Sequence, residues 1–209
     1  KYPWMSNKNL ATTILTTGTK ADAPSEIWGR GLLDLGKAIN GPAIFEEDFE
    51  ANVTSGYASK FSNPISGTAG IKKIGAGSLE LSGVNTFTGK IQINGGTLVA
   101  NRQSNLGGTT SKVQFGGGTL DLGNYNGGTT FDRQIAVGSG NGWLKASETL
   151  IYTLSTIDKA ADGTAGILYF TDKVLSIPGS LELNAYWGGD YTVAAGSTLS
   201  GTGGVMGDL

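Results

Sequence analysis

One short phrase recurs through most of this chain: Gly77-Ser-Leu-Glu-Leu-Ser-Gly83, Gly96-Thr-Leu-Val-Ala100, Gly118-Thr-Leu-Asp-Leu-Gly123, Gly179-Ser-Leu-Glu-Leu183 and Gly196-Ser-Thr-Leu-Ser-Gly201. Each is a small turn followed by a short alternating strand. From Leu79 to Leu98 to Leu120, and again from Leu181 to Leu199, the phrase returns with a period of roughly 20 residues. That length suits one coil of a parallel β-helix, with three strands of about five residues each and short turns between them. Alternation then sends Leu79 and Leu81, Ile91 and Ile93, and Leu120 and Leu122 inward to stack with their counterparts one coil away. Glycine, 35 of 209 residues against 5 prolines, is far too aperiodic for collagen, and its abundance fits turn-dense β structure. Gly-Gly pairs at 95, 107, 116, 127, 188 and 203, and Asn-Gly or Asp-Gly at 94, 126, 141 and 162, mark corners that need positive φ.

Residues 42–209 make roughly eight coils at this period, a rod on the order of 40 Å long. Two places break the pattern. Ala43 to Pro64, with the acidic run Glu46-Glu-Asp-Phe-Glu50, reads as a first capping coil or a linker. Lys145 to Asp172 reads as a hairpin projecting from the rod, its arms Thr149–Ser155 and Gly166–Thr171 joined through Asp158–Gly163.

Residues 1–41 have a different texture. Leu10, Ala11, Ile14 and Leu15 share one face of a short helix capped by Ser6. A second helix is predicted from Leu32 to Ile39, where Leu32, Leu35 and Ile39 are three and four apart, and Asn40-Gly41-Pro42 supplies a left-handed stop and a breaker. The formal charge also changes there: residues 1–41 carry 5 basic and 3 acidic side chains, +2, and residues 42–209 carry 10 and 14, −4.

Two blocks carry a family likeness. Lys1-Tyr-Pro-Trp-Met-Ser-Asn-Lys-Asn-Leu-Ala-Thr-Thr-Ile-Leu-Thr-Thr17 and Ile27-Trp-Gly-Arg-Gly-Leu-Leu-Asp-Leu-Gly-Lys-Ala-Ile-Asn-Gly-Pro42 resemble the C-terminal end of a subtilisin-like serine protease domain. The stretch from Phe61 to Gly67 followed by Ile71 to Asn101 is similar to the passenger-associated repeat of bacterial autotransporters. Together they resemble a subtilase autotransporter passenger. The resemblance implies two units, residues 1–41 as the incomplete end of the peptidase domain and residues 42–209 as a β-helical stalk. The implied fold is mainly β: a right-handed parallel β-helix, a single-stranded solenoid, preceded by two short helices from the end of a subtilisin-like α/β domain. It also implies a place at the bacterial cell surface or outside the cell, reached through the outer membrane. The implied partners are an upstream subtilisin-like catalytic domain in cis or as a cleaved piece, a C-terminal outer-membrane β-barrel translocator, and the protein substrates of the parent protease.

The catalytic residues of that family do not map onto these positions. The Gly-Thr-Ser-Met nucleophile motif does not occur, and a chain with no histidine has no imidazole base for a Ser-His-Asp arrangement. By the family layout the nucleophile helix is expected just before Lys1, and the barrel after Leu209. The expectation is therefore a chain without catalytic, cofactor or metal residues of its own, inactive when alone. The second reading is a non-catalytic β-helical adhesin or binding passenger.

Other chemistry finds little support. A formal charge of −2 gives no electrostatic case for nucleic acid. Zero cysteine removes thiolate chemistry. Gly75-Ala-Gly-Ser-Leu-Glu80 and Gly201-Thr-Gly-Gly-Val-Met206 miss the last glycine of a dinucleotide loop and open no helix. The run from Glu46 to Glu50 lacks the spacing that wraps calcium, so a solvated acidic face is favoured. Tyr125, Trp143, Tyr152, Tyr169, Phe170, Tyr186 and Trp187 are candidates for a sugar-stacking or partner surface, with coil packing favoured. Asp121, Asp132 and Arg133 are the candidates for a polysaccharide lyase or hydrolase centre.

Overall fold

The computed structural model describes residues 1–123, 130–147, 150–153, 156–171, 175–177 and 179–206. The recurring leucines stack as their spacing requires. Leu79 pairs with Leu98 and Leu98 with Leu120, in parallel, and Leu181 pairs with Leu199. Leu120 continues onto Leu144 and Leu144 onto Phe170, across the stretch where the coils lengthen. All of these side chains except Leu199 are buried.

The chain is a parallel β-solenoid of about seven turns with two short helices at its N-terminus. One long sheet stacks Phe49–Asn52, Ile71–Ile74, Ile91–Ile93, Val113–Phe115, Ile135–Val137, Thr156–Lys159, Leu181–Leu183 and Leu199–Ser200. The second stacks Ala58–Phe61, Ser78–Leu81, Thr97–Val99, Thr119–Leu122, Gly142–Ala146, Ile167–Thr171, Tyr186–Gly188 and Gly204–Met206. Inward positions of both sheets meet in one dry column that includes Ile71, Ile91, Ile93, Val113, Phe115 and Ile135.

The third side differs from the three-strand expectation. Among the described residues, strands stack there late, as Thr130–Phe131, Leu150–Tyr152, Leu175–Ile177 and Tyr191–Val193, and early as the pair Ile44–Phe45 with Ser66–Gly67. Between them the coils are held by isolated backbone bonds, Thr86 N–H to Ile65 O at 2.8 Å, Thr88 N–H to Gly67 O at 3.0 Å and Gly108 N–H to Phe87 O at 2.8 Å. A ladder of buried asparagines adds to them. Asn85 Oδ1 accepts from Ile65 N–H at 2.8 Å, Asn85 Nδ2 donates to Asn105 O at 2.6 Å, and Asn105 Nδ2 donates to Gly83 O at 2.8 Å. A side-chain amide offers one donor end and one acceptor end, so it bridges coils where the backbone turns and cannot pair with itself.

Among the described residues, no hairpin leaves the rod between Lys145 and Asp172. Leu150–Tyr152, Thr156–Lys159 and Ile167–Thr171 sit on three different sheets, and every pairing they make is parallel. Residues 160–164 form only a tight turn, with Ala160 N–H bonded to Thr164 O at 2.9 Å. Longer strands suggest an excursion, but their inward residues Tyr152, Ile157, Leu168 and Phe170 have a core to enter and stay in the coil. Parts of the expected arms, residues 149 and 154–155, lie outside the described residues.

Ala43 to Pro64 forms the first coil, and it is residues 1–41 that cover its end. Helix α1 runs Asn7–Thr16, with Ser6 Oγ accepting from Asn9 N–H as its cap. Helix α2 is shorter than predicted, Leu35–Ala38, because Asp34 rather than Leu32 caps it. Gly41 takes φ +97°, and a Cβ there would meet the Phe61 ring at 2.5 Å, so the left-handed stop is also a close contact with the rod.

Candidate functional site

Helix α1 packs in reverse of what its pattern suggests. Its buried residues are Asn9, Thr13 and Thr16, while Leu10 and Leu15 are half exposed. The surface beneath it explains the inversion. The first coil presents a strand edge with backbone groups to satisfy. Asn9 Nδ2 donates to Glu50 O at 2.6 Å, and Thr16 Oγ1 accepts from Ala43 N–H at 3.2 Å. Thr13 and Thr17 hydroxyls turn back onto Asn9 O and Thr13 O at 2.8 and 2.7 Å, so no hydroxyl is stranded on burial. An apolar face would have left the edge unpaired, at about 1–3 kcal/mol for each orphaned group.

Aromatic residues close the end of the core. Tyr2 meets Phe61 edge to face at 5.4 Å, Trp4 lies 6.1 Å from Phe61, and Phe49 meets Phe61 at 5.6 Å. The Trp4 indole N–H donates to Ser59 Oγ at 2.8 Å, and the Tyr2 hydroxyl sits 2.7 Å from Lys60 O. Burial pushes that phenol up to about 12.

With its polar side spent on the rod, the N-terminal segment turns an apolar side outward. Ile27, Trp28, Leu32, Leu33, Leu35 and Ile39 are all more than half exposed, Ile27 reaching 86%. Of the large apolar residues exposed in the described chain, Tyr57, Val84, Tyr186 and Met206 are the ones outside residues 10–39. A groove of about 360 Å³ runs across this side between α1 and α2, lined by Tyr2, Met5, Leu10, Ile14, Leu35 and Ile39. Scattered apolar side chains on a surface are ordinary; this concentration is not.

The acidic run is distributed among separate partners. Arg30 clasps Glu46 at 2.6 and 2.9 Å, Lys8 pairs with Glu47, Asp48 accepts from Gly70 N–H at 2.8 Å, and Lys72 pairs with Glu50 at 3.1 Å. Two of these contacts, Arg30–Glu46 and Lys8–Glu47, tie the N-terminal segment to the first coil.

The three hydrolase candidates do not converge. Asp121 faces outward on the second long sheet beside Lys145, 3.9 Å away. Asp132 accepts from Gln103 Nε2 past the end of a different sheet. Arg133 is buried, its guanidinium donating to Gly108 O at 2.6 Å, Gln103 O at 2.7 Å and Gly107 O at 2.9 Å, which makes it a clamp on a turn. The aromatic candidates divide: Tyr152, Phe170 and Trp187 are core, Trp143 and Tyr169 stack on each other at 5.5 Å on the outer face, Tyr186 is exposed, and Tyr125 lies outside the described residues.

Sequence reasoning missed Lys73. It is fully buried, and its ammonium donates to Ile74 O and Gly75 O at 2.8 Å and to Gly95 O at 3.1 Å, with burial pulling it down to about 8. A signal was present: in Ile71-Lys-Lys-Ile74 with Ile71 inward, alternation sends Lys73 inward too.

Residues 71–100, about a coil and a half that holds Lys73 and the first two stacked leucines, match the passenger-associated-transport-repeat family. That stretch of the rod is therefore similar to an autotransporter passenger repeat. The chain is similar to the Neisserial autotransporter lipoprotein NalP of Neisseria meningitidis, 54% identical over 104 residues, 47% of this chain and 10% of NalP. It is similar to an adhesin, the BmaC autotransporter of Brucella suis, at 41% over 76 residues, 36% of this chain and 2% of BmaC. It also resembles an extracellular serine protease of Serratia marcescens, 29% identical over 136 residues, 47% of this chain and 13% of that protein. The matched region thus spans only 10% of NalP and 13% of the Serratia protease.

Proposed function

We propose that this chain is the stalk of a surface-exposed or secreted autotransporter passenger, and that residues 1–41 are the seat on which a subtilisin-like catalytic unit rests. The observation that carries the reading is the two-sided N-terminal segment. One side is a hydrogen-bonded cap on the rod, and away from it Trp28, Leu33, Leu35 and Ile39 are exposed, with Leu35 and Ile39 along the apolar groove beside α1. A segment that only capped the rod would turn polar groups to water on its far side. The likeness to the Serratia extracellular serine protease favours a peptidase as the covering unit. Burying these side chains would contribute about 1.5–3 kcal/mol each, enough to fix the unit's orientation at the tip of the rod. In this reading the division between units falls near Gly41, catalysis belongs to the covering unit, and a translocator barrel belongs to the parent protein.

The test is made in the parent polypeptide. Leu35→Asp combined with Ile39→Asp is expected to lower peptidase yield and the melting temperature of the catalytic unit while the rod's circular dichroism stays unchanged. A parent sequence whose upstream part lacks Gly-Thr-Ser-Met, or a double variant with unaltered peptidase stability, would sink the proposal in favour of the adhesin reading.

A further inference from the structure

The outer face of the first long sheet carries two neighbouring columns of polar side chains. One runs Gln92, Gln114, Ala136, Asp158, as the pairing register dictates. The other lies two positions earlier on each strand, with Lys90, Lys112 and Gln134 at successive coils. Every member but one has a long or polar side chain. Ala136 is the exception, and above it a hollow of about 380 Å³ opens, lined also by Lys90, Lys112, Gln134, Asp158, Lys159 and Asn184.

Its electrostatics differ from the rest of the rod. On the same molecule Lys60 pairs with Glu80, Lys72 with Glu50 and Lys145 with Asp121. Lys90, Lys112 and Lys159 line the hollow and, among the described residues, make no ion pair. Asp158, the carboxylate among the lining residues, is held by Gln134 Nε2 at 2.8 Å, with Asn184 Nδ2 at 3.5 Å. The lining therefore sums to +2 in a chain whose total is −2.

We infer that this hollow is a binding site for a carboxylated saccharide, a short stretch of a uronate-bearing glycan lying along the rod. The ammonium groups of Lys90, Lys112 and Lys159 meet carboxylates from the two sides of the groove. The amides of Gln114, Gln134 and Asn184 both donate and accept, as sugar hydroxyls require. Asp158 favours this class over a polyphosphate, since a fixed carboxylate in the floor repels a densely charged anion but accepts from hydroxyls. The lining spans coils from Lys90 to Asn184, about 19 Å of rod, a length for an oligosaccharide and not for a single small ion. The inference is independent of what covers residues 1–41.

The full chain is titrated by calorimetry at low salt with tetragalacturonate, with neutral cellotetraose and with tripolyphosphate. Tetragalacturonate is expected to bind, with the neutral sugar and tripolyphosphate each at least about tenfold weaker. Lys112→Gln and Ala136→Trp, both outward-facing, are each expected to weaken tetragalacturonate about tenfold or more while leaving circular dichroism and the melting temperature unchanged. Undetectable binding at millimolar tetragalacturonate, equal binding of either control ligand, or full affinity in a folded Ala136→Trp variant would overturn the inference. If Ala136→Trp disturbs the fold, the Lys112→Gln result decides.

Discussion

Replacing Asn85 by alanine probes what holds the rod where its third side lacks strands. The side chain is buried and bridges two coils, accepting from Ile65 N–H at 2.8 Å and donating to Asn105 O at 2.6 Å. Alanine removes both bonds and leaves a donor and an acceptor in a site with little water access. At about 1–3 kcal/mol for each stranded group the loss is about 4 kcal/mol, at the top of the range for single substitutions. Val84→Ala, at the exposed neighbour, is expected to change stability by less than about 0.5 kcal/mol. Guanidinium denaturation followed by circular dichroism gives the global loss, and native-state hydrogen exchange gives the local one, with the Ile65 amide losing protection first. Asn85→Asp adds a sign. The carboxylate keeps the acceptor but loses the donor, and burial raises its pKa above the unfolded value. Protonation returns the donor as pH falls through that raised folded value, so the lost stability is regained in part, fully so by about pH 4, and falls again as pH rises through the folded pKa. A loss under about 1 kcal/mol for Asn85→Ala, with Ile65 as protected as before, would refute the claim that the ladder bridges the coils.

Two more substitutions probe the interior. The Lys73 ammonium has a folded value of about 8 against an ordinary 10.5. The unfolded chain holds more protons between those values, so this group's contribution to stability rises with pH from about 8 to about 10.5. The difference in melting temperature between the parent chain and Lys73→Met should therefore change steadily across that window, and a constant difference would argue against the buried charge. Leu120→Ala, in the middle of the dry column, is expected to cost about 2–5 kcal/mol by calorimetry or denaturant titration, because its neighbours one coil away are fixed by their own strands and cannot close the gap. A cost under about 1 kcal/mol would mean that the column is loosely packed.

The coil-length period, the inward leucines, the positive-φ corners at Gly96, Gly107, Gly117, Asn141, Gly163 and Gly189, though not at Gly203-Gly204, and the left-handed stop at Gly41 were legible in the sequence, because each depends on neighbours along the chain or on the repeat of a single coil. Leu79, Leu98 and Leu120 pair with one another whatever lies elsewhere. The sense in which α1 packs was not legible: its pattern places Leu10, Ile14 and Leu15 on the obvious inward face, yet Asn9, Thr13 and Thr16 go in. That choice belongs to the partner surface, a strand edge whose unpaired backbone groups outrank the transfer of two or three apolar side chains. Tertiary structure decided the same kind of question at Lys145 to Asp172, where available core drew the strands back into the coil, and at Arg133, whose guanidinium found turn carbonyls and left the outer face. The hollow at Ala136 is likewise a property of neighbours brought together from successive coils, and a small residue becomes a site only when longer ones stand around it.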